Sequence, residues 1–176
     1  AMRAAELILE ATAPQVVLAS RNGRARPSNA VLSSSLICAC DCTDAADTNA
    51  LVIICNATGY LHAAGLNGKG LLVDVDACRI LQLYQPKAMG GSYLHFNLAS
   101  RLLSAYTLFS SVASGLGNVG LASYASSNAW LDAHALSRRA IGMLAFSVQW
   151  PIVEGAGMGT VKPGKQIAIA GTAGVS

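Results

Sequence analysis

"FSSVASGLGNVGLASYASSNAW", Phe109 to Trp130, carries the chain from a strand-like run into a helix-like one through a crowd of serines and glycines. Upstream the run extends to "AYTLFSS", and downstream it extends to "ASYASSNAWLDAHALSRRA". A strand that passes at once into a helix is the repeating unit of an α/β sheet. On that helix Tyr124 and Asn128 lie four residues apart, so both side chains leave one face, a single turn from each other. Ser111 ends the strand, thirteen residues before the tyrosine.

The same alternation holds on either side. "AAELILEA" has apolar residues at helical spacing, and after Pro14 "QVVLAS" is a short β-branched run that ends in the polar "RNGR". "SLICACD" reads as a strand, "TDAADTNALVII" as a short helix that the pattern leaves ambiguous, and "GYLHAAG" as a strand running into a glycine turn. Leu71 to about Ser100 reads as a long helical region, with irregularities expected at Pro86 and at Gly90 and Gly91; "MLAFSVQW" is a further strand closed by Pro151, and "IAIAG" an edge strand. Strands alternating with helices predict an α/β, Rossmann-like doubly wound parallel sheet, whose ligands sit at the carboxyl ends of the strands. The polar endings "SRNGR", "CDCTD", "HAAG", "SSVAS" and "QWP" would then converge on one rim and form a nucleotide or small-ligand site there.

Composition narrows the class. A chain of 176 residues fits one domain, able to bury roughly 70% of its extended surface. Hydrophobic residues make up 53% and charged residues 12%, which suits strands covered on both faces. The formal charge of +3 is small and its basic residues are dispersed, which argues against nucleic acid as a partner. No apolar run is long enough to span a bilayer, and "AMRAAELILE" carries two glutamates where a signal peptide needs an unbroken apolar stretch. The expected setting is the cytoplasm or an organelle interior, neither secreted nor in a membrane. Cys38, Cys40 and Cys42 alternate in "ICACDC", which on a strand puts all three on one face; with no CxxC pair and no nearby histidine, small buried thiols are expected and no metal.

A hydroxyl at a strand tip and a phenol on the next helix can meet at one carbonyl oxygen, the serine orienting it and the tyrosine protonating it as hydride arrives. A free phenol ionises near pH ~10, and a neighbouring ammonium brings it closer to neutrality. Lys87, in "LQLYQPK", is the candidate cation. Singly, each has an ordinary alternative: Ser111 as a turn or cap residue, Tyr124 as a half-buried aromatic, Lys87 as solvated surface.

"PKAMGGSYLH", "TLFSSVASGLGNVGLASYASSNAWLDAHALSRRAIG" and "VQWPIVEGAGMG" resemble the ketoreductase domain of modular polyketide synthases, a branch of the short-chain dehydrogenase/reductase superfamily. Most of that superfamily has lysine four residues after the tyrosine and asparagine on the earlier helix, whereas the synthase ketoreductases exchange the two, as this sequence does. The resemblance implies the catalytic set Lys87, Ser111, Tyr124 and Asn128, at separations of 24, 13 and 4 residues. It also implies a cofactor set. "LASRNGR" looks like the second strand of the family, with Ser20 and Arg21 at the adenosine; a guanidinium there suits a 2′-phosphate, which favours NADPH over NADH. Asp41 and Cys42 in "CDCTD" would border the adenine. His62, Ala63, Ala64 and Gly65 in "LHAAG" would approach the cofactor, with Lys87 at the ribose, Tyr124 at the reacting centre, and Trp150 and Pro151 beside the nicotinamide.

The implied reaction is NADPH-dependent reduction of a β-ketoacyl thioester, carried on an acyl carrier protein, to the β-hydroxyacyl thioester in polyketide biosynthesis, with the other synthase domains as partners. The chain departs from the family at its start. A first strand and a T-G-G-x-G-x-x-G turn for the pyrophosphate are expected, yet no glycine precedes Gly23. That strand would lie between those of "QVVLAS" and "GYLHAAG", so residues 1–176 are expected to be one ketoreductase domain, N-terminally incomplete, from a larger synthase. Asn67, Gly68 and Lys69 stand where one stereochemical type has L-D-D, Leu116 stands where the other has tryptophan, and Leu121 replaces a common glutamine. Neither fingerprint assigns the hydroxyl configuration. The alternatives are a catalytically silent ketoreductase-like structural subdomain and a free-standing short-chain reductase.

Overall fold

The computed structural model describes residues 2–11, 15–24, 35–66, 68–117 and 119–151. The expected strand "IAIAG" lies outside the described residues, as do Pro14 and Asn67. The chain divides into two compact units: Ala1–Ala57 with Ser92–Arg101, and Thr58–Gly91 with Leu102–Ser176.

In the first unit, helix α1 (Met2–Ala11) is followed by strands β1 (Val16–Ser20) and β2 (Ser35–Ala39) and by helix α2 (Ala45–Cys55). β1 and β2 pair in parallel, from Val16 opposite Ser35 to Ser20 opposite Ala39. The segment that its pattern left ambiguous is a helix because both of its ends are fixed. The Asp44 carboxylate accepts from the backbone N–H groups of Ala46 and Asp47, at 2.8 and 3.0 Å, and Asn56 closes the helix in the left-handed region at φ 42°. The expected three-thiol face does not form. β2 stops at Ala39, so only Cys38 lies on the strand, while Cys40 and Cys42 fall in the segment that turns back under Asp41.

The second unit holds strand β3 (Gly59–His62), a 3-10 turn at Leu72–Asp74, helix α3 (Ala77–Leu98, of which Ala77–Gly91 belong here), strand β4 (Ala105–Ser111), the four-residue helix α4 (Ala113–Leu116), helix α5 (Ala122–Ala140) and strand β5 (Phe146–Trp150). The strands form a parallel sheet in the order β3-β4-β5. Tyr106 and Leu108 of β4 and Leu131 of α5 are fully buried in its core. Among the described residues, β1 and β2 form one two-stranded sheet, and β3 is an edge strand of the other. No helix of the described residues is long and apolar enough to cross a membrane.

The long helix differs from its sequence reading at both expected trouble spots. It starts at Ala77, where the Asp76 carboxylate accepts from Arg79 N at 2.7 Å, so Leu71–Asp76 stays outside. Pro86, Gly90 and Gly91 do not break it. Gly91 is there for space. A Cβ on it would lie 2.8 Å from Trp130 Cζ3, and the indole cannot retreat because it stacks on His134 at 4.7 Å. The Gly91 carbonyl also accepts from the Tyr106 hydroxyl at 3.2 Å, and the Arg138 guanidinium lies over the Tyr106 ring. Gly91→Ala is therefore expected to lower stability by about 1–3 kcal/mol, read as a shifted midpoint in chemical denaturation, despite alanine's better helix propensity.

Candidate active site

β4 delivers Ser110 and Ser111 to the carboxyl edge of its sheet, where α4 begins. Ser111 Oγ accepts from Ala113 N at 3.2 Å, and Val112 N donates to the carbonyl of Trp150 at 3.1 Å, so the end of β5 pins the turn that holds the serine. The Trp150 ring lies 5.5 Å from that of Phe109, and Pro151 follows, half-buried.

Lys87 is no surface lysine. It is 3% exposed, and its Nζ donates to the carbonyl of Phe109 at 2.7 Å. Burial lowers its pKa to about 8, opposed by the charge of Asp132. Beneath it, His62 Nε2 lies 3.2 Å from the Lys87 carbonyl, which can only accept, so that nitrogen carries the proton. Burial brings His62 down to about 4; bonds to the Lys87 and Pro86 backbone oppose this, and the Lys87 charge reinforces it. His62, expected at the cofactor, is thus a neutral buried donor to the lysine's own peptide. Ala63, Ala64 and Gly65 continue from β3 as a half-buried loop without regular structure.

On α5, Asn128 is fully buried. Its Nδ2 donates to the Tyr124 carbonyl at 2.8 Å, its own carbonyl accepts from Ser110 Oγ at 3.2 Å, and its Oδ1 is buried without a partner. That orphan acceptor fits an ammonium or a water that belongs to a working site. Tyr124 is half-buried, and among the described residues its hydroxyl makes no hydrogen bond. Lys87, the end of β4 and the Tyr124–Asn128 helix face are therefore linked through Phe109 and Ser110.

The other expected cofactor residues lie in the first unit. Ser20 closes a turn after β1: its Oγ donates to the Arg24 carbonyl at 2.9 Å, and its own carbonyl accepts from Gly23 N at 3.0 Å. Arg21 is exposed and makes no hydrogen bond or ion pair among the described residues. The Thr43 backbone N–H and hydroxyl hold Asp41 below the usual carboxylate range, with Arg21 adding to the effect. Burial pushes the Cys42 thiol up, and Arg21 opposes this. Arg21, Asp41 and Cys42 are thus neighbours at the carboxyl ends of β1 and β2, with a cation available to an anion.

Sequence reasoning missed Asp132. It stands four residues after Asn128 and eight after Tyr124, on their face of α5, and it is the sole acid of that helix, which was a legible signal. Its carboxylate accepts from Ser147 Oγ at 2.5 Å, Ser114 Oγ at 2.7 Å and Gln149 Nε2 at 2.8 Å. Burial raises its pKa, but hydrogen bonds from Ser147, Ser114, Gln149 and Ser110 outweigh this and hold it below the ordinary value.

Because the folded state keeps His62 neutral down to about pH 4 while a free imidazole takes its proton near 6.5, the unfolded chain binds more protons across that window. Stability should therefore fall as pH drops from about 6.5 to 4, by about 3 kcal/mol for this one group. His62→Gln, which keeps a donor but cannot titrate, should flatten that slope in denaturation curves taken at each pH.

The KR domain family profile matches residues 1–155. Polyketide synthase GfsB of Streptomyces halstedii is 38% identical over 156 residues, covering 81% of this chain and 3% of that protein. Erythronolide synthase EryA2 of Saccharopolyspora erythraea is 33% identical over 180 residues, covering 97% of this chain and 5% of that protein. The solved first ketoreductase of the tylosin polyketide synthase superposes with a TM-score of 0.79 at 31% identity, over 92% of this chain and 38% of that one. The chain spans 3% and 5% of the length of these two synthases and 38% of the tylosin ketoreductase chain, and it belongs to the ketoreductase domain family of polyketide synthases.

Proposed function

We propose that this chain forms the catalytic part of a ketoreductase that reduces an acyl-carrier-protein-bound β-ketoacyl thioester to the β-hydroxyacyl thioester, acting with the other domains of a larger synthase. The observation that carries the reading is the buried Lys87 ammonium bonded to Phe109 at the foot of Ser111, beside a helix that presents an unpartnered Tyr124 hydroxyl and an orphan Asn128 Oδ1. Ser111 orients the substrate carbonyl, and Tyr124 gives its phenolic proton to the oxygen. The Lys87 ammonium stabilises the phenolate left behind, and Asn128 holds the lysine or a proton-relay water through Oδ1.

The residues fit a nicotinamide cofactor. Arg21 supplies an uncommitted guanidinium for a 2′-phosphate, next to Ser20, Asp41 and Cys42 for the adenosine end, which supports NADPH. Ala63, Ala64, Gly65, Lys87, Tyr124, Trp150 and Pro151 serve the nicotinamide end, and His62 acts behind them on Lys87. When bound, NADPH supplies the hydride. The proposal includes a further strand and glycine-rich pyrophosphate turn in the active protein, which the family resemblance implies.

NADPH oxidation with a β-ketoacyl N-acetylcysteamine thioester, in the full-length protein, tests this. Tyr124→Phe should lower kcat by roughly 10²- to 10⁴-fold; a rate that survives it would remove the proposed acid. Arg21→Leu should weaken NADPH binding by roughly tenfold or more while leaving NADH nearly unaffected; equal losses for both would remove the 2′-phosphate role.

A further inference from the structure

The search leads to the carboxylate that the mechanism leaves unused. Asp132 is the meeting point of the site's supports. It takes hydrogen bonds from Ser147 and Gln149 of β5 and from Ser114 of α4, the helix that starts two residues after Ser111. Gln149 Nε2 also reaches Ser114 Oγ at 3.0 Å, closing a small polar cluster around the carboxylate. Four residues earlier on the same helix, the Asn128 carbonyl holds Ser110. The strand end carrying Ser111 and the helix carrying Tyr124 are thus fastened to each other by the Asp132 carboxylate and the Asn128 carbonyl.

The carboxylate also acts on Lys87. Each element around the lysine contributes a different group. β3 contributes His62, neutral and already donating to the Lys87 carbonyl. β4 contributes the Phe109 carbonyl and no ionised side chain, burial holding its Tyr106 phenol up to about 12. α5 carries Tyr124 and Asp132 on one face, and of these Asp132 is the acid whose charge favours the ammonium. A buried ammonium whose hydrogen bond goes to a neutral carbonyl needs such a counter-charge to stay protonated at working pH.

We infer that Asp132 is a positioning residue of the site: its carboxylate clamps the Ser111 turn and β5 to the Tyr124 helix and provides the counter-charge for the Lys87 ammonium. The inference deepens the proposed ketoreductase reading and rests on it for its functional meaning. Its physical content is separately measurable, because the lysine's titration is observed without turnover.

The experiment is ¹³C NMR of the full chain with lysine labelled at Cε and aspartate at the carboxyl carbon. The sequence has four lysines, and Lys87 is assigned by the signal lost in Lys87→Arg. In the wild-type protein the Asp132 carboxyl resonance, assigned by its loss in Asp132→Asn, should show a second inflection at the pH where Lys87 titrates. In Asp132→Asn the Lys87 midpoint should fall by about one pH unit, while Asp132→Glu, which keeps the charge, should stay near the wild-type value. An Asp132 signal blind to the lysine's titration, or an unchanged Lys87 midpoint in folded Asp132→Asn, overturns the inference. Absence of ketoreduction by the wild-type protein would overturn the ketoreductase reading and leave the titration result standing.

Discussion

The second unit is organised around one buried charge. An ammonium removed from water is costly, and a backbone carbonyl and the charge of Asp132 favour the ionised form of Lys87 against its burial. Phe109 offers the carbonyl, Asp132 offers the charge, and His62 fixes the peptide from which the side chain springs. These contacts come from β4, α5 and β3, so placing one lysine constrains the mutual placement of four elements. The cost is visible in the lysine's pKa, which burial brings to about 8.

The same constraint explains small residues on β4, β5 and the helices beside them. Ser110, Ser114, Ser127 and Ser147 are short enough to let strand, turn and helix approach, and each spends its hydroxyl on a specific acceptor: the Asn128 carbonyl, the Asp132 carboxylate, the Tyr124 carbonyl and Asp132 again. What remains unspent is the Tyr124 hydroxyl and Asn128 Oδ1. An open hydroxyl and a buried open acceptor on one helix face are what the proposed ketoreductase reading calls for.

Most of the fold was legible because its strands and helices carry strong local patterns; α5 runs from Ala122 to Ala140, as its sequence pattern implies. The misreadings have identifiable causes. An Asp76 cap, invisible to hydrophobic periodicity, moved the start of α3 to Ala77, and a continuing helix tolerated Pro86. Cysteine alternation was taken as strand pattern beyond the point where β2 ends. The proposed catalytic set was reached because a family pattern ties Lys87, Ser111, Tyr124 and Asn128 together; local periodicity alone relates only Tyr124 and Asn128. The supports, His62 and Asp132, were not read in their roles, since both act through contacts between elements distant in sequence. His62 reaches residue 87, and Asp132 reaches residues 114, 147 and 149.

If the buried ammonium readies Tyr124, its ionisation must govern the reaction. The measurement is the pH dependence of kcat/KM for β-ketoacyl thioester reduction by the wild-type protein, which reports the ionisations of the free enzyme. Lys87 is charged below its folded pKa and neutral above it, so kcat/KM should hold up to about pH 8 and then fall by roughly tenfold per pH unit. A rate undiminished up to about pH 10, where an ordinary lysine would still be charged, would contradict the view that a buried, pKa-shifted Lys87 drives the site.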